Sequence, residues 1–249
     1  MPRKADPPVA PPRRATSAPP LQPAQAPPRT LQPNFGRFAR IYAPIEWLSF
    51  GTALSRRREC FLAHPRVASA QRALILGDGD GRFAAALLER NPDLELTVVD
   101  VSAAMLTQLE RRVRVRTPNA RLELHCADAR TWTVPAANYD LVAAHFFFDC
   151  FTMHDLTRVI SRISPALTPN ALWLVSDFAI PNHPFWTPFA RVLIRFLYLI
   201  IGSLTGLEHS HLPDHQTAMR AARFELSEVQ TAFGGTLRSE IWQAPATNH

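Results

Sequence analysis

The chain is poor in lysine and in cysteine, and each shortage excludes a kind of site. Its 249 residues include a single lysine, Lys4, so none follows a glycine-rich loop as a P-loop nucleotide site requires. The three cysteines, Cys60, Cys126 and Cys150, share no metal-ligand or disulfide spacing. We therefore expect free thiols in a reducing compartment and no metal centre.

The sequence also lacks the apolar core of a signal peptide and a basic groove with interleaved aromatic residues. Eleven of the 23 prolines fall in residues 1–33, which hold few aliphatic residues and are predicted to form a disordered tail. Five basic residues against one acidic residue give this tail +4 of the formal +6, which leaves +2 for residues 34–249. We expect no nucleic-acid partner and a cytoplasmic location.

Beyond the tail, the hydrophobic pattern predicts an α/β fold. Residues 34–62 have near-helical apolar spacing broken at Pro44 and Gly51, which predicts two short helices. Strands are then predicted over 73–77, 94–100, 121–126, 139–145 and 171–178, and helices over 80–90, 102–115 and 154–165. Continuous apolar strands that alternate with helices indicate a doubly wound parallel sheet with helices on both faces.

The C-terminal third departs from this alternation. An apolar helical stretch begins near Pro184, a shorter helix is predicted over 214–223, and two strands joined by Gly234-Gly235 predict a closing antiparallel hairpin. The uncharged run over 196–207 is 12 residues long, about 18 Å of helix against a ~30 Å bilayer core, so it should not span a membrane. It could cover a pocket or lie in a membrane interface.

The stretch "ALILGDGDGRFAAALL" predicts a strand, a glycine turn and a helix N-terminus, whose free N–H groups favour an electron-rich ligand. Each of the loop acids Asp78 and Asp80 would oppose a phosphate by roughly 3 kcal/mol at close range. Arg82 also stands where the dinucleotide fingerprint has its third glycine. A ligand with adenine, ribose and a positive centre but no phosphate suits this loop, and S-adenosylmethionine is such a ligand.

Other polar side chains follow the predicted strands at the edge where an open parallel sheet binds its ligands. Asp100 is placed to accept hydrogen bonds from ribose hydroxyls, and Asp128 either accepts from the adenine amino group or caps a helix. His145 is either a general base or a packed side chain. Asp149 is as good a candidate as His145 for acting on the acceptor, by holding one of its polar groups. Loop Asp78 or Asp80 either contacts the ligand or caps the helix near Arg82.

The ordered set "LGDGDG … VVDVS … CADAR … YDLVAAHFFFDCF … LTPNALWLVSDF" resembles the class I S-adenosylmethionine-dependent methyltransferases. The resemblance implies a Rossmann-like seven-stranded sheet with a C-terminal antiparallel hairpin. It also implies a cofactor site made of Gly77, Asp78, Gly79, Gly81, Asp100, Val101, Asp128, Ala129, His145 and Phe146. Two positions depart from the pattern: Ile75 stands where the family commonly has an acid, and Asn170 stands where a glycine is frequent.

The resemblance implies a helical lid over 34–62 and a methyltransferase domain over 63–249 with a helical insertion over 184–212. The acceptor is expected to be a small molecule, apolar and lipid-like or aromatic, because the lid and the insertion are rich in Phe, Trp, Leu and Ile. Peripheral membrane contact is compatible with the same residues.

The alternative functions are a nicotinamide-dependent oxidoreductase and a non-catalytic scaffold that binds S-adenosylmethionine or a membrane surface. The oligomeric state is left open.

Overall fold

The computed structural model of the chain describes residues 52–135, 138–181, 183–188, 190–192 and 212–246. The tail predicted over 1–33 lies outside these ranges. So do most of the lid predicted over 34–62 and most of the insertion predicted over 184–212. The described residues around the site therefore belong to the sheet, its flanking helices and one helix of the lid.

The helices are α1 (Ala53–Glu59), α2 (Pro65–Ala68), α3 (Arg82–Arg90), α4 (Ala103–Arg116), α5 (Met153–Ile163) and α6 (His215–Ala221). The strands are β1 (Arg72–Leu76), β2 (Glu95–Asp100), β3 (Arg121–Cys126), β4 (Tyr139–His145), β5 (Leu167–Phe178), β6 (Glu225–Ala232) and β7 (Leu237–Gln243). Short 3₁₀ turns occupy Phe148–Cys150, Ser164–Ala166 and Phe233–Gly235.

The strands form one seven-stranded sheet in the order β3-β2-β1-β4-β5-β7-β6. Strands β1 to β5 are parallel, and β7 pairs antiparallel with both β5 and β6. The order reverses beside β1, which pairs with β2 on one side and β4 on the other, so a crevice opens at the carboxyl ends of these strands. The predicted doubly wound sheet with an antiparallel C-terminal hairpin is confirmed.

Both faces of the sheet are buried because successive side chains of a strand point to opposite sides. Ile75 and Ala143 pack on one face beneath α3 and α4, where Phe83 and Leu109 are buried. The other face, with Val142, packs against α5 and α6. Continuous apolar strands are thus explained by burial on both sides.

Strand β5 begins at Leu167, four residues before the predicted start, because Leu167 already pairs with Tyr139. Asn170 then takes a left-handed φ of 61°, as expected for the residue that replaces a glycine, and the pairing register shifts there. Helix α5 ends at Ile163 rather than 165 because residues Ser164–Ala166 tighten into a 3₁₀ turn.

A buried carboxylate fastens α6 to the hairpin. Glu240 is 1% exposed, and it accepts hydrogen bonds from Trp242 Nε1 at 2.7 Å and Gln216 Nε2 at 2.6 Å. It also pairs with His215 Nε2 at 2.9 Å and with Arg238. Burial acts to raise the pKa of Glu240, but these donors outweigh it and lower the pKa to about 2.

We expect Glu240→Gln to reduce the free energy of unfolding by roughly 3 kcal/mol at pH 7. The folded pKa lies below the ordinary value of 4.5, so the carboxylate contributes its full stability above about pH 4.5 and loses it as pH falls towards 2. Urea unfolding at pH 7 and pH 4 measures this, with the exposed Glu225→Gln as control. Equal stability of Glu240→Gln and the parent chain at pH 7 would contradict the assignment.

Candidate functional site

The turn after β1 is shaped by three glycines with left-handed φ angles, 63° at Gly77, 63° at Gly79 and 80° at Gly81. A Cβ at Gly77 would lie 2.4 Å from the Phe147 ring, and one at Gly81 would lie 2.6 Å from the Leu109 Cα. A Cβ at Gly79 would meet nothing within 4 Å. Two of the glycines are therefore required by close packing within the protein, whereas Gly79 borders open space.

The loop acids are held by the protein in different ways. Asp78 is buried, and its carboxylate accepts from the Ala84 N–H at 2.9 Å, which caps the first turn of α3. Burial raises the pKa of Asp78 to about 7. Asp80 forms ion pairs of 2.9 Å with Arg82 and with Arg112. Of the two alternatives for these acids, Asp78 takes the role of a helix cap, and contact of either acid with the ligand stays a prediction.

Asp100 ends β2 and ties this strand to the loop. Its carboxylate accepts from the Ser102 N–H at 2.8 Å and from the Gly79 N–H. Burial raises the pKa of Asp100 above its usual value, although these hydrogen bonds oppose the shift. Two carboxylate oxygens can accept about four hydrogen bonds, so capacity remains for a ribose. The next residue, Val101, is 39% exposed.

Asp128 and Ala129 lie in the turn after β3. The Asp128 carboxylate accepts from the Arg130 backbone N–H at 2.9 Å and from the Arg130 side chain at 2.6 Å. Partial burial acts to raise the pKa of Asp128, but the hydrogen bonds and charge of Arg130 outweigh it and lower the pKa. Asp128 caps this turn as an anion, Ala129 is buried, and contact of both with adenine stays a prediction.

His145 ends β4 and is buried. Its Nδ1 lies 2.9 Å from Ser176 Oγ, its ring packs edge-on against Phe83 at 4.4 Å, and its Nε2 has no partner within the described residues. Burial lowers the pKa of His145 to about 3, so the ring is neutral and a weak base. Of the two alternatives, the geometry favours a packed histidine over a general base.

Phe146 follows with a strained backbone. Its φ of 53° lies in the left-handed region, which is unfavourable for a bulky residue, and its N–H donates to the Ser176 carbonyl at 2.6 Å. Its ring lies 5.3 Å from that of Phe178. Phe147 turns towards Gly77 and contacts the Phe151 ring at 4.9 Å. The carboxyl ends of β4 and β5 thus carry a cluster of aromatic rings.

Two buried carboxyl groups lie beside these rings. Asp149 is in the 3₁₀ turn after β4 and Asp177 is in β5, and the Asp149 N–H donates to the Asp177 carboxylate. Burial raises the pKa of Asp149 to about 6, and burial with the neighbouring Asp149 charge raises the pKa of Asp177. Like-charged groups at short range share protons, so this pair can take up or release a proton near neutral pH.

Comparison with known proteins agrees with this geometry. A family model described as a methyltransferase domain matches residues 73–170. The demethylmenaquinone methyltransferase of Deinococcus radiodurans is 27% identical over 237 residues, which cover 88% of this chain and 95% of that protein. These matches identify the chain as an S-adenosylmethionine-dependent methyltransferase and are consistent with the class I family. The predicted activity is confirmed, which removes the nicotinamide-dependent alternative.

Solved structures share the fold of this methyltransferase. An O-methyltransferase family protein from Burkholderia thailandensis aligns over 88% of this chain and 66% of its own, at 18% identity and a TM-score of 0.66. The N-methyltransferase NodS from Bradyrhizobium japonicum, in complex with S-adenosyl-L-homocysteine, aligns over 77% of this chain and 88% of its own, at 13% identity and a TM-score of 0.55. S-adenosylmethionine is the cosubstrate of the family.

The site of the methyltransferase fits this cosubstrate. The open side of Gly79 leaves room for the ligand, the carboxylate of Asp100 retains acceptor capacity for a ribose, and His145 Nε2 is a buried polar atom that a ligand could satisfy. A separate groove of about 460 Å³ lies at the amino ends of the strands, lined by residues such as Arg72, Glu95 and Arg121. It lies at the opposite edge of the sheet from the glycine loop.

The sequence pattern did not predict two residues of this region, Asp177 and Arg58. Asp177 lies near the end of β5, and Asp100 lies at the end of β2. An acid at the end of a predicted strand was therefore a signal that "LVSDF" also carried. Arg58 lies four residues after the buried Leu54 in α1, which places both on one helix face. The adjacent Arg56 and Arg57 hide this signal, because a run of arginines suggests a solvated face.

The glycine geometry predicts opposite effects of two alanine substitutions. Gly81→Ala adds a Cβ against the Leu109 backbone and should lower the melting temperature strongly. Gly79→Ala meets only the left-handed penalty of about 1–2 kcal/mol, and should fold but bind S-adenosylhomocysteine at least tenfold more weakly. Thermal unfolding and calorimetry of both variants measure this. Full ligand affinity in Gly79→Ala would show that the open side of the loop is not the binding side.

Proposed function

We propose that this methyltransferase modifies a small, largely apolar acceptor that carries one ionisable group. The observation that carries the proposal is the juxtaposition of aromatic rings and buried carboxyl groups at the carboxyl ends of β4 and β5. Phe146 and Phe178 pair at 5.3 Å, and the following turn holds buried Asp149. Aromatic rings bind a flat or apolar body through contact area, and a carboxylate takes a proton from its polar group.

When bound, S-adenosylmethionine supplies an electrophilic sulfonium methyl group for in-line attack by the acceptor. The loop glycines and Asp100 hold the cosubstrate, and the aromatic cluster orients the acceptor, since alignment of two reactants can contribute roughly 7–11 kcal/mol. Asp149 takes the proton that the acceptor atom loses as its bond to the methyl carbon forms. His145 stays neutral, packed between Phe83 and Ser176, and lines the site without exchanging a proton.

Relatives support an acceptor of this kind. The Deinococcus radiodurans protein bears the name of an enzyme of demethylmenaquinone, and the Burkholderia thailandensis structure bears that of an O-methyltransferase family. The first name suits an apolar molecule, and the second names only the transfer of a methyl group to oxygen. The identity of 27% supports the class of acceptor and does not select one compound, and the identity of 18% supports the fold alone.

We further propose peripheral membrane contact, since a lipid-like acceptor resides in a membrane. Four large apolar side chains are exposed near the closing hairpin and the start of the insertion: Ile180, Phe185, Val192 and Phe233. Phe185 and Val192 are each 71% exposed. No helix in the ranges that the structure describes is both long and apolar enough to span a bilayer. Contact at the interface is the mode that these side chains support.

An acceptor panel tests the proposed class. We expect methylation of quinols or phenols with apolar substituents, measured as S-adenosylhomocysteine formed, and flotation with anionic liposomes. Short polar amines and carboxylic acids serve as matched acceptors of similar size. Methylation restricted to those polar acceptors, without liposome binding, would refute the apolar class. Binding of S-adenosylmethionine with no turnover of any acceptor would favour the scaffold alternative.

The role of Asp149 predicts a pH profile. Because burial places its pKa at about 6, kcat/KM should rise as pH increases through 6 and then level off as the carboxylate form is reached. Asp149→Asn should lower kcat by about 10²–10⁴-fold and abolish this rise. Asp93→Asn, in an exposed turn, is the control. An unchanged profile in Asp149→Asn would assign the proton transfer elsewhere.

A further inference from the structure

A buried histidine, His215, joins the C-terminal hairpin to the turn that carries Asp149. It is the first residue of α6, and its Nε2 lies 2.9 Å from a carboxylate oxygen of Glu240 on β7. Because Glu240 is ionised and can only accept, Nε2 is the donor in this hydrogen bond. The other side of the ring faces the turn after β4, where the centroid of the Phe148 ring lies 6.1 Å away.

Both ends of this contact are fixed by the surrounding structure. Asp214 caps α6, since its carboxylate accepts from the Thr217 N–H at 3.0 Å and from the Thr217 hydroxyl at 2.6 Å. Glu240 is held by Trp242 and by the other donors described above. The imidazole is therefore kept at one position, with Glu240 on β7 and the 3₁₀ turn on either side of it.

Charged and titratable groups reach this region from each element that packs around the histidine. They are Asp149 and Cys150 of the turn, Asp177 of β5, Asp214 of α6, and Arg238 and Glu240 of β7. Arg238 pairs with Glu240, and burial keeps the pKa of the Cys150 thiol well above its usual value, so this thiol is neutral. The Asp149 and Asp177 carboxyl groups thus remain as the acids whose charge can change there.

A positive charge on His215 favours the carboxylate form of Asp149. Burial raises the pKa of Asp149, and the charge of His215 acts against this rise. The other groups that act against it are hydrogen-bond donors of the turn itself, so His215 supplies a full positive charge from a different element. Without that charge, Asp149 would stay protonated to a higher pH.

We propose that His215, held by Glu240, is a positioning residue for methyl transfer, because it keeps Asp149 in the carboxylate form that accepts a proton from the acceptor. His215 neither contacts the acceptor nor takes its proton, which goes to Asp149. The proposal rests on the role proposed for Asp149 above. It gives Glu240 a second task besides fastening α6 to the hairpin, namely to orient the imidazole.

A titration of Asp149 without any acceptor tests the proposal. Carbon-13 NMR of aspartate-labelled protein follows the carboxyl groups, and the signal that disappears in Asp149→Asn belongs to Asp149. Its midpoint in the parent chain is expected at about pH 6. His215→Gln keeps an N–H donor for Glu240 but removes the charge, and it should raise the midpoint by about one pH unit. His154→Gln, at a side chain that is 78% exposed, is the matched control and should leave the midpoint unchanged.

The pH profile of the reaction gives a second readout. In His215→Gln the rise of kcat/KM should move to higher pH with the midpoint, so that the rate falls about fivefold at pH 6 and stays close to that of the parent chain at pH 8.5. His215→Lys fits the position less well than Gln but keeps a positive charge, and it should restore the midpoint of the parent chain. A side chain that merely packs would give the opposite order of the two variants.

An unchanged midpoint in folded His215→Gln would overturn the proposal, as would an equal loss of rate at pH 6 and pH 8.5. If the His215 variants do not fold, the parent chain still decides. Its Asp149 signal should then show a second, smaller step where the imidazole titrates, and a single step would refute the coupling. An unchanged kcat in Asp149→Asn, with a displaced midpoint in His215→Gln, would refute the role of Asp149 alone.

Discussion

The left-handed backbone of the loop after β1 is the constraint on which the rest of the site depends. Gly77 and Gly81 have no space for a side chain, because the Phe147 ring and the α4 backbone occupy it. This close approach brings α3 to the loop so that Asp78 can cap its first turn. The Gly79 N–H bonds to Asp100, which links the loop to β2. One local conformation therefore aligns two strands and two helices around the candidate cosubstrate site.

The acidic side chains of the site differ in their ion pairing and in their pKa because their surroundings differ. Asp80 and Asp128 are paired with arginines, and this pairing lowers the pKa of Asp128, whereas burial raises the pKa of Asp78 and of Asp149 towards neutrality. The first two hold loops in place. The last two can change charge in the range where enzymes work, one beside the loop and one beside the aromatic cluster. A direct ion pair with an arginine distinguishes the first two carboxyl groups, and dominant burial distinguishes the last two.

The sequence predicted the fold well because its signals are local. Alternating apolar strands, the glycine turn and Asn170 in a left-handed conformation all follow from backbone and burial rules that act over a few residues. Pairings between distant residues left no such signal. The ion pair between Asp80 and Arg112 spans 32 positions, and the contact of Arg58 with Phe146 joins a helix to a strand end. Both depend on how helices pack, which periodicity does not report.

The position of β7 has a consequence for synthesis on the ribosome. This strand is the last in the chain but lies between β5 and β6 in the sheet. Until it has emerged, the long strand β5 keeps an unpaired edge, which is open to aggregation. Ser239 on β7 is also one of the two hydroxyl donors that hold the end of α1. The first described helix therefore completes its docking only after β7 has been made.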